Sequence, residues 1–96
     1  MIVKDIEINK SIFKAVHIEL SDSSNLLMII GSKGYIMCGY LNINTAQKMG
    51  DVACIVTGVK TIEDILNSKI VALTSNAQKL GVEMGMAVTE VLKKLS

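Results

Sequence analysis

Cys38 is the residue of this 96-residue chain best placed for covalent chemistry. It lies between Met37 and Gly39 at the end of a predicted strand, where side chains commonly face clefts. A cysteine becomes a nucleophile or a sulfur carrier when a nearby cation or helix N-terminus stabilises its thiolate. Free cysteine is also among the most frequently buried residues, and the sequence identifies no base beside Cys38. Two interpretations therefore stay open, a reactive catalytic thiol and an inert buried one.

The segment Thr57-Gly58-Val59-Lys60-Thr61 is a second candidate site. It places a glycine, a lysine and a predicted helix start directly after an apolar strand. Backbone N–H groups and one ammonium group can hold a carboxylate or a phosphate, so Gly58, Lys60 and Thr61 are predicted to bind a small anionic ligand. The segment does not match the Walker pattern of nucleotide-binding loops. In the simpler interpretation, Gly58 permits a tight turn and Thr61 caps a helix.

Cys54 and His17 are not predicted to extend these sites. Cys54 lies inside the apolar run Val52–Val56 and is expected in the core. His17 shares a strand face with Glu19, so we expect a partly exposed or interfacial histidine with a hydrogen bond to Glu19 within reach. The spacing of the two cysteines and the histidine fits no recognised zinc motif. No metal and no cofactor is predicted.

The charge and aromatic content argue against several classes of partner. Ten lysines and nine acidic residues give a net charge of +1, with no arginine, no Trp, one Phe and two Tyr. Base readout by guanidinium groups and base stacking are therefore unsupported, and no nucleic-acid partner is predicted. No apolar run approaches the ~20 residues that span a bilayer, and Lys4 and Asp5 interrupt any signal-peptide core. With two cysteines and no disulfide framework, we expect a cytoplasmic protein without a membrane partner.

Four strands are predicted to form an N-terminal β-meander. Alternating apolar and polar residues predict two strands within residues 2–20, joined by a turn at 9–11. The polar stretch 21–25 is predicted to be a loop. The continuously apolar run 26–30 predicts a strand covered on both faces, and residues 31–34 then predict a hairpin turn into a fourth strand.

After Tyr40 the hydrophobic period becomes helical. The predicted helices are 43–49, 61–67, 75–80 and 86–95, and the predicted strands are 52–56 and 70–73. Asn44 and Gln47 resemble a capping box, and Gly50 is expected to end the first of these helices. The residues between the last two strands suffice for a right-handed crossover, which would make those strands parallel. The fold class is therefore α+β: one domain over 1–96, with an N-terminal antiparallel β-meander followed by alternating short strands and helices and a C-terminal helix.

Several segments resemble the YunC-like proteins, a family of small bacterial and archaeal proteins called domain of unknown function 1805. The segments are Gly34-Tyr35-Ile36-Met37-Cys38-Gly39, Val56-Thr57-Gly58-Val59-Lys60-Thr61-Ile62, Leu80-Gly81-Val82 and Gly85-Met86. The resemblance extends from about residue 11 to residue 95. It implies an α+β fold and a tetramer assembled through the N-terminal sheet region, about residues 2–39, but no activity. Ala87 departs from the small hydroxyl residue expected there in some relatives.

The apolar content independently predicts association with further copies. Half of the residues are hydrophobic, 13 are isoleucine, and a chain of this size buries about 60–65% of its unfolded surface. Apolar surface left over on a small domain usually becomes a subunit interface. We therefore expect a homo-oligomer, at least a dimer from this argument and a tetramer from the resemblance.

Two functions remain open, and the sequence does not decide whether the protein is an enzyme. The first is a non-catalytic homo-oligomer that binds a small ligand or a protein partner. The alternative is a small enzyme or sulfur-handling protein that uses Cys38 with an anion site at Gly58–Thr61.

Overall fold

One six-stranded sheet organises the chain in this computed structural model, which describes residues 1–96. The strands, which neighbour one another in chain order, are β1 (Ile2–Ile8), β2 (Ser11–Ser21), β3 (Ser24–Ile30), β4 (Tyr35–Met37), β5 (Ala53–Ile55) and β6 (Ala72–Leu73). The helices are α1 (Ile43–Met49), α2 (Ile62–Leu66), α3 (Ser75–Lys79) and α4 (Val88–Leu95). All strand pairs are antiparallel except β4 and β5, which are parallel. The predicted α+β fold class is confirmed.

The turn between β1 and β2 follows directly from its residue types. Asn9 and Lys10 both have positive φ, 52° and 68°, as the tight turns of two-residue β-hairpins require. Asparagine tolerates this left-handed region better than most residues do. The β1–β2 hairpin was therefore predictable from local chemistry.

The predicted loop over residues 21–25 is largely wrong. Ser21 ends β2 and pairs with Ser24 at the start of β3, and Glu19 pairs with Asn25. Polar side chains do not prevent backbone pairing at the exposed end of a hairpin, because the ladder uses main-chain groups. A register shift between Glu19 and Ser21 accommodates the tight turn.

The right-handed crossover that the sequence allowed between strands 52–56 and 70–73 does not occur. β5 and β6 are antiparallel, with Cys54 opposite Leu73. The parallel pair is instead β4 and β5, with Ile36 opposite Cys54, and α1 lies in the connection between them. A long connection permits a parallel crossover but does not require one, so connection length alone could not decide which pair is parallel.

The caps of the short helices were predicted in part. Gly50 ends α1 with φ 76°, as expected. The N-cap of α1 is Asn42, whose side chain accepts from two backbone N–H groups, and the predicted capping box at Asn44 and Gln47 does not form. Gln47 instead makes two hydrogen bonds with Ser75 at the start of α3. None of the four helices is long and apolar enough to cross a membrane.

The two faces of the sheet differ in how well the chain covers them. Paired residues share a face, so Ile29, Ile36 and Cys54 lie side by side on what we call the inner face. They belong to the main hydrophobic core, together with Val91 and Leu92 of α4. The inner face and the helices packed on it therefore enclose the core.

The opposite face, called the outer face, carries an apolar row that one chain leaves partly uncovered. This row consists of Val3, Val16, Met28, Met37 and Ile55. Val16 and Ile55 are buried, Met28 and Met37 are half-buried, and Val3 is 51% exposed. The expectation that residues 26–30 are covered on both faces is thus wrong for a single chain, because Met28 is half-exposed and Ile30 is exposed.

Candidate functional site

A surface cleft lies at the carboxyl ends of the two parallel strands. The chain leaves β4 through Cys38-Gly39-Tyr40 and leaves the region of β5 through Thr57-Gly58-Val59, and both segments line the cleft. The third wall is the end of the β2–β3 hairpin, Ser23-Ser24-Asn25. The cavity volume is about 320 Å³, which is at the small end of ligand pockets. Crevices outside the carboxyl ends of parallel strands are the usual binding places of α/β sheets.

Cys38 forms part of the cleft wall and is held by the neighbouring strand. Its side chain is buried, with 5% of the residue exposed. The Sγ atom accepts a hydrogen bond from the backbone N–H of Leu27 at 3.4 Å and lies 3.9 Å from the carbonyl oxygen of Asn25, to which it donates. No charged side chain lines the cleft. A side chain able to accept the thiol proton is therefore missing from the cavity lining.

The backbone groups of the cleft are largely unpaired within the chain. Five residues of the lining have N–H groups that donate to no acceptor in the protein: Gly39, Tyr40, Thr57, Gly58 and Val59. The N–H groups just before and just after these runs are paired, since Cys38 donates to Leu27 and Lys60 to Asp64. The cleft thus combines free backbone donors with hydroxyl, amide and thiol side chains.

Two glycines keep the cleft open. An ideal Cβ atom built on Gly39 would meet a single atom within 4 Å, the Cγ2 of Thr57 at 3.8 Å. A Cβ atom on Gly58 would meet nothing within 4 Å, but Gly58 has φ 71°, where side chains are strained. Gly58 is therefore required by the backbone, whereas Gly39 leaves space that a larger side chain would fill.

The structure brings Cys38 and Gly58 to one cavity and leaves Lys60 and Thr61 outside its lining. Thr61 is the N-cap of α2, as its simpler interpretation predicted, and its hydroxyl accepts from Asp64 N–H at 3.0 Å. The Asp64 carboxylate in turn accepts from the N–H of Lys60 at 2.9 Å. Two N–H groups at this helix start are thus used within the chain, that of Lys60 by the Asp64 carboxylate and that of Asp64 by the Thr61 hydroxyl. The assignment of Cys38, Gly58, Lys60 and Thr61 as site residues stays a prediction.

Cys54 is a core residue, as predicted. It is fully buried on the inner face, and burial raises the pKa of its thiol to about 11, because a thiolate would be poorly solvated there. No group of three metal-ligating side chains occurs in the structure. The two cysteines consequently differ in their surroundings, since Cys38 borders a cleft and Cys54 lies in the core.

His17 is half-buried, but its hydrogen bond is not made to Glu19. Its Nε2 atom lies 3.1 Å from the Oδ1 atom of Asn25 on the adjacent strand. His17 therefore contacts Asn25, a residue of the cleft lining, and makes no hydrogen bond with the Cys38 thiol. A second, smaller cavity of about 240 Å³ contains His17 among Ile2, Lys4, Ala15, Thr61, Ile62 and Glu63.

Several residues that line the cleft were not predicted from the sequence, chiefly Ser23, Ser24, Asn25 and Tyr40. Their position in the cleft follows from the order of the strands, because β3 pairs with β4 and β4 with β5. No local sequence pattern reports that order. The one available signal was the glycine beside Cys38, which permits a close approach of other groups.

Comparison with known proteins places the chain in a family of proteins of unknown function. The family described as "Domain of unknown function (DUF1805)" matches residues 37–95, and the chain belongs to it. The resemblance noted from the sequence segments is thereby confirmed.

Two individual relatives show how far the similarity extends. The "Uncharacterized protein YunC" of Bacillus subtilis (strain 168) is 33% identical over 87 residues, which are 86% of this chain and 85% of that protein. The crystal structure of TA1206, a protein of unknown function from Thermoplasma acidophilum, has 42% sequence identity and a TM-score of 0.93. That match covers 98% of this chain and 91% of the other.

Proposed function

We propose that this protein is a non-catalytic, cytoplasmic homo-oligomer that binds a small ligand in the cleft at the carboxyl ends of β4 and β5. The observation that carries the proposal is the convergence of Cys38-Gly39-Tyr40 and Thr57-Gly58-Val59 on one cavity. Their unpaired N–H groups supply hydrogen-bond donors. The lining contains no carboxyl, imidazole or amino group beside Cys38 and Tyr40, which favours binding over catalysis.

The test compares native mass spectra of the purified wild type and Gly39→Leu. A Cβ atom at position 39 would meet only one other atom within 4 Å, at an ordinary contact distance. The leucine side chain would therefore fill the cleft with little effect on folding. Gln78→Leu is the control, since Gln78 is exposed on α3 and outside the cleft. We expect a bound small molecule in the wild type and in Gln78→Leu, and its loss in Gly39→Leu. A ligand retained by Gly39→Leu would contradict the proposal.

Association through the outer face is the second part of the proposal, with a tetramer as the resemblance implies. Its support is the apolar row, which leaves Met28 and Met37 half-buried and Val3 half-exposed in one chain. A second copy laid on this face would remove that apolar surface from water. The two free cysteines are compatible with a reducing cytoplasm.

Val3→Glu tests this interface without disturbing the core of one chain. Val3 is 51% exposed, and the control Val71→Glu alters an equally accessible valine, 47% exposed, outside the outer-face row. A glutamate buried between copies would cost several kcal/mol, so light scattering should report dissociation for Val3→Glu alone. A wild-type protein that is monomeric at micromolar concentration would contradict the assembly.

Thiol chemistry at Cys38 is the alternative function, favoured by its place in the cleft wall. The alkylation rate of Cys38 at neutral pH, measured in a Cys54→Ala background, separates the two functions. Binding without catalysis predicts alkylation no faster than that of a cysteine in an unfolded peptide. Alkylation much faster than that of the peptide would favour the alternative.

A further inference from the structure

We infer that the ligand of the cleft carries an oxyanion, a carboxylate or a phosphate group, bound by main-chain N–H groups. This inference rests on the proposed function and names the chemical class of the ligand. It concerns the donors of Gly39, Tyr40, Thr57, Gly58 and Val59 and does not involve the start of α2.

The number and placement of the donors carry the inference. Exposed loops commonly leave single N–H groups to water, but here five residues with unpaired N–H groups, from two separate segments, line one cavity. The segment 57–59 contains Gly58 at φ 71°, and runs of N–H groups with a left-handed residue form concave anion-binding sites. A ligand oxygen with negative charge makes shorter and stronger hydrogen bonds to such donors than a neutral one does.

No charge in the cleft wall opposes an anionic ligand. No Asp or Glu lines the cavity, so an incoming anion meets no like charge in the wall. The charged residues that adjoin the lining in sequence are Asp22 and Lys60, one of each sign. The chain also uses the next donor of the same turn for a carboxylate, because Lys60 N–H binds Asp64 at 2.9 Å.

The experiment follows the backbone amide signals of ¹⁵N-labelled protein by NMR during titration with sodium phosphate, sodium acetate and, as a neutral probe, acetamide. Ionic strength is held constant with sodium chloride. The matched variants are Gly39→Asp and Gly39→Asn, which place side chains of nearly equal size in the cleft at a position where a Cβ atom fits. Only the aspartate adds a charge.

We expect phosphate or acetate to shift the five amide signals to saturation, and acetamide to have a weaker effect. The affinity of Gly39→Asp for the anion should be at least about tenfold below that of Gly39→Asn, because like charges within a few ångströms repel. Equal affinities of the two variants, equal binding of acetamide, or anion shifts only outside these residues would each overturn the inference. In each of these cases the proposed binding function would remain open, because it is tested separately by native mass spectrometry of the wild type and Gly39→Leu.

Discussion

The same two parallel strands, β4 and β5, have a closed end and an open end. At the amino end, the Tyr35 hydroxyl donates to the Asp51 carboxylate at 2.8 Å, and the Tyr35 N–H donates to the Val52 carbonyl at 3.0 Å. The buried Thr74 hydroxyl donates to the Asp51 carbonyl at 2.7 Å and accepts from Ala53 N–H at 3.1 Å. At the carboxyl end, the N–H groups of Cys38 and Val56, directly after the strands, are still paired, but those of Gly39, Tyr40 and residues 57–59 lack such partners.

The glycines show the same difference in packing. A Cβ atom on Gly34, at the closed end, would overlap the carbonyl oxygen and the side chain of Val52. A Cβ atom on Gly39, at the open end, would make one ordinary contact. The closed end therefore contributes stability through satisfied groups, and the open end keeps groups and space available for a ligand.

The largest difference between the two ends is expected from alanine at these glycines. Gly34→Ala should lower the free energy of unfolding by about 3 kcal/mol or more, because backbone and side-chain atoms of Val52 must move. Gly39→Ala should change it by no more than about 0.5–1 kcal/mol. Urea unfolding of both variants measures the two values. Similar losses at the two positions would remove the distinction between the ends.

Thr74→Val should have the next largest effect. Valine keeps the shape of threonine but removes the hydroxyl that serves Asp51, Ala53 and Ala77. Leaving buried backbone groups without partners costs about 1–3 kcal/mol. The free energy of unfolding should fall by that amount, whereas Thr57→Val in the cleft should change it little. A larger loss for Thr57→Val would reverse the comparison.

The closed end should also make stability depend on alkaline pH. Burial, aided by the hydrogen bond and the negative charge of Asp51, raises the pKa of Tyr35 from 10.0 to about 12. The unfolded chain then loses this proton first, so the contribution of Tyr35 to stability is fully present below pH 10 and is lost as the pH rises toward 12. Cys54 adds a fall between about pH 9 and 11. Tyr35→Phe should abolish the fall in stability that is due to Tyr35 and leave the fall that is due to Cys54. The same pH dependence of the unfolding midpoint in the wild type and in Tyr35→Phe would contradict this.

Gly39→Leu should have the smallest effect on stability and the clearest effect on binding. The new side chain extends into the cleft at the open end, so we expect the free energy of unfolding to stay within about 1 kcal/mol of the wild type. Thermal or urea unfolding checks this value. A loss as large as that of Gly34→Ala would show that the carboxyl end is packed like the amino end.

Sequence alone predicted the features that depend on neighbouring residues. The turn at Asn9 and Lys10, the end of α1 at Gly50 and the cap of α2 at Thr61 all follow from local chemistry. The choice of Asn42 over Asn44 as N-cap of α1 shows the usual uncertainty at helix starts.

Features set by strand order were beyond sequence reasoning. The direction of β6 and the hairpin end Ser23-Ser24-Asn25 in the cleft depend on which strands pair. The sequence suggested a site at Cys38 and at Gly58, and their meeting required the parallel pairing of β4 with β5. The half-covered outer face could not be predicted from local sequence either, since Met28 lies in an apolar run and its residue type does not distinguish it from a core residue.

The most direct test of the binding cleft is an NMR map of where small molecules bind. A panel of small carboxylates, phosphates, amides and sugars is added to the ¹⁵N-labelled wild type and to Gly39→Leu. The cleft predicts shifts centred on the amides of Gly39, Tyr40 and Gly58 in the wild type, and their disappearance in the variant. Shifts centred instead on the second cavity at Lys4 and Glu63, unchanged in Gly39→Leu, or no shifts with any compound, would contradict it.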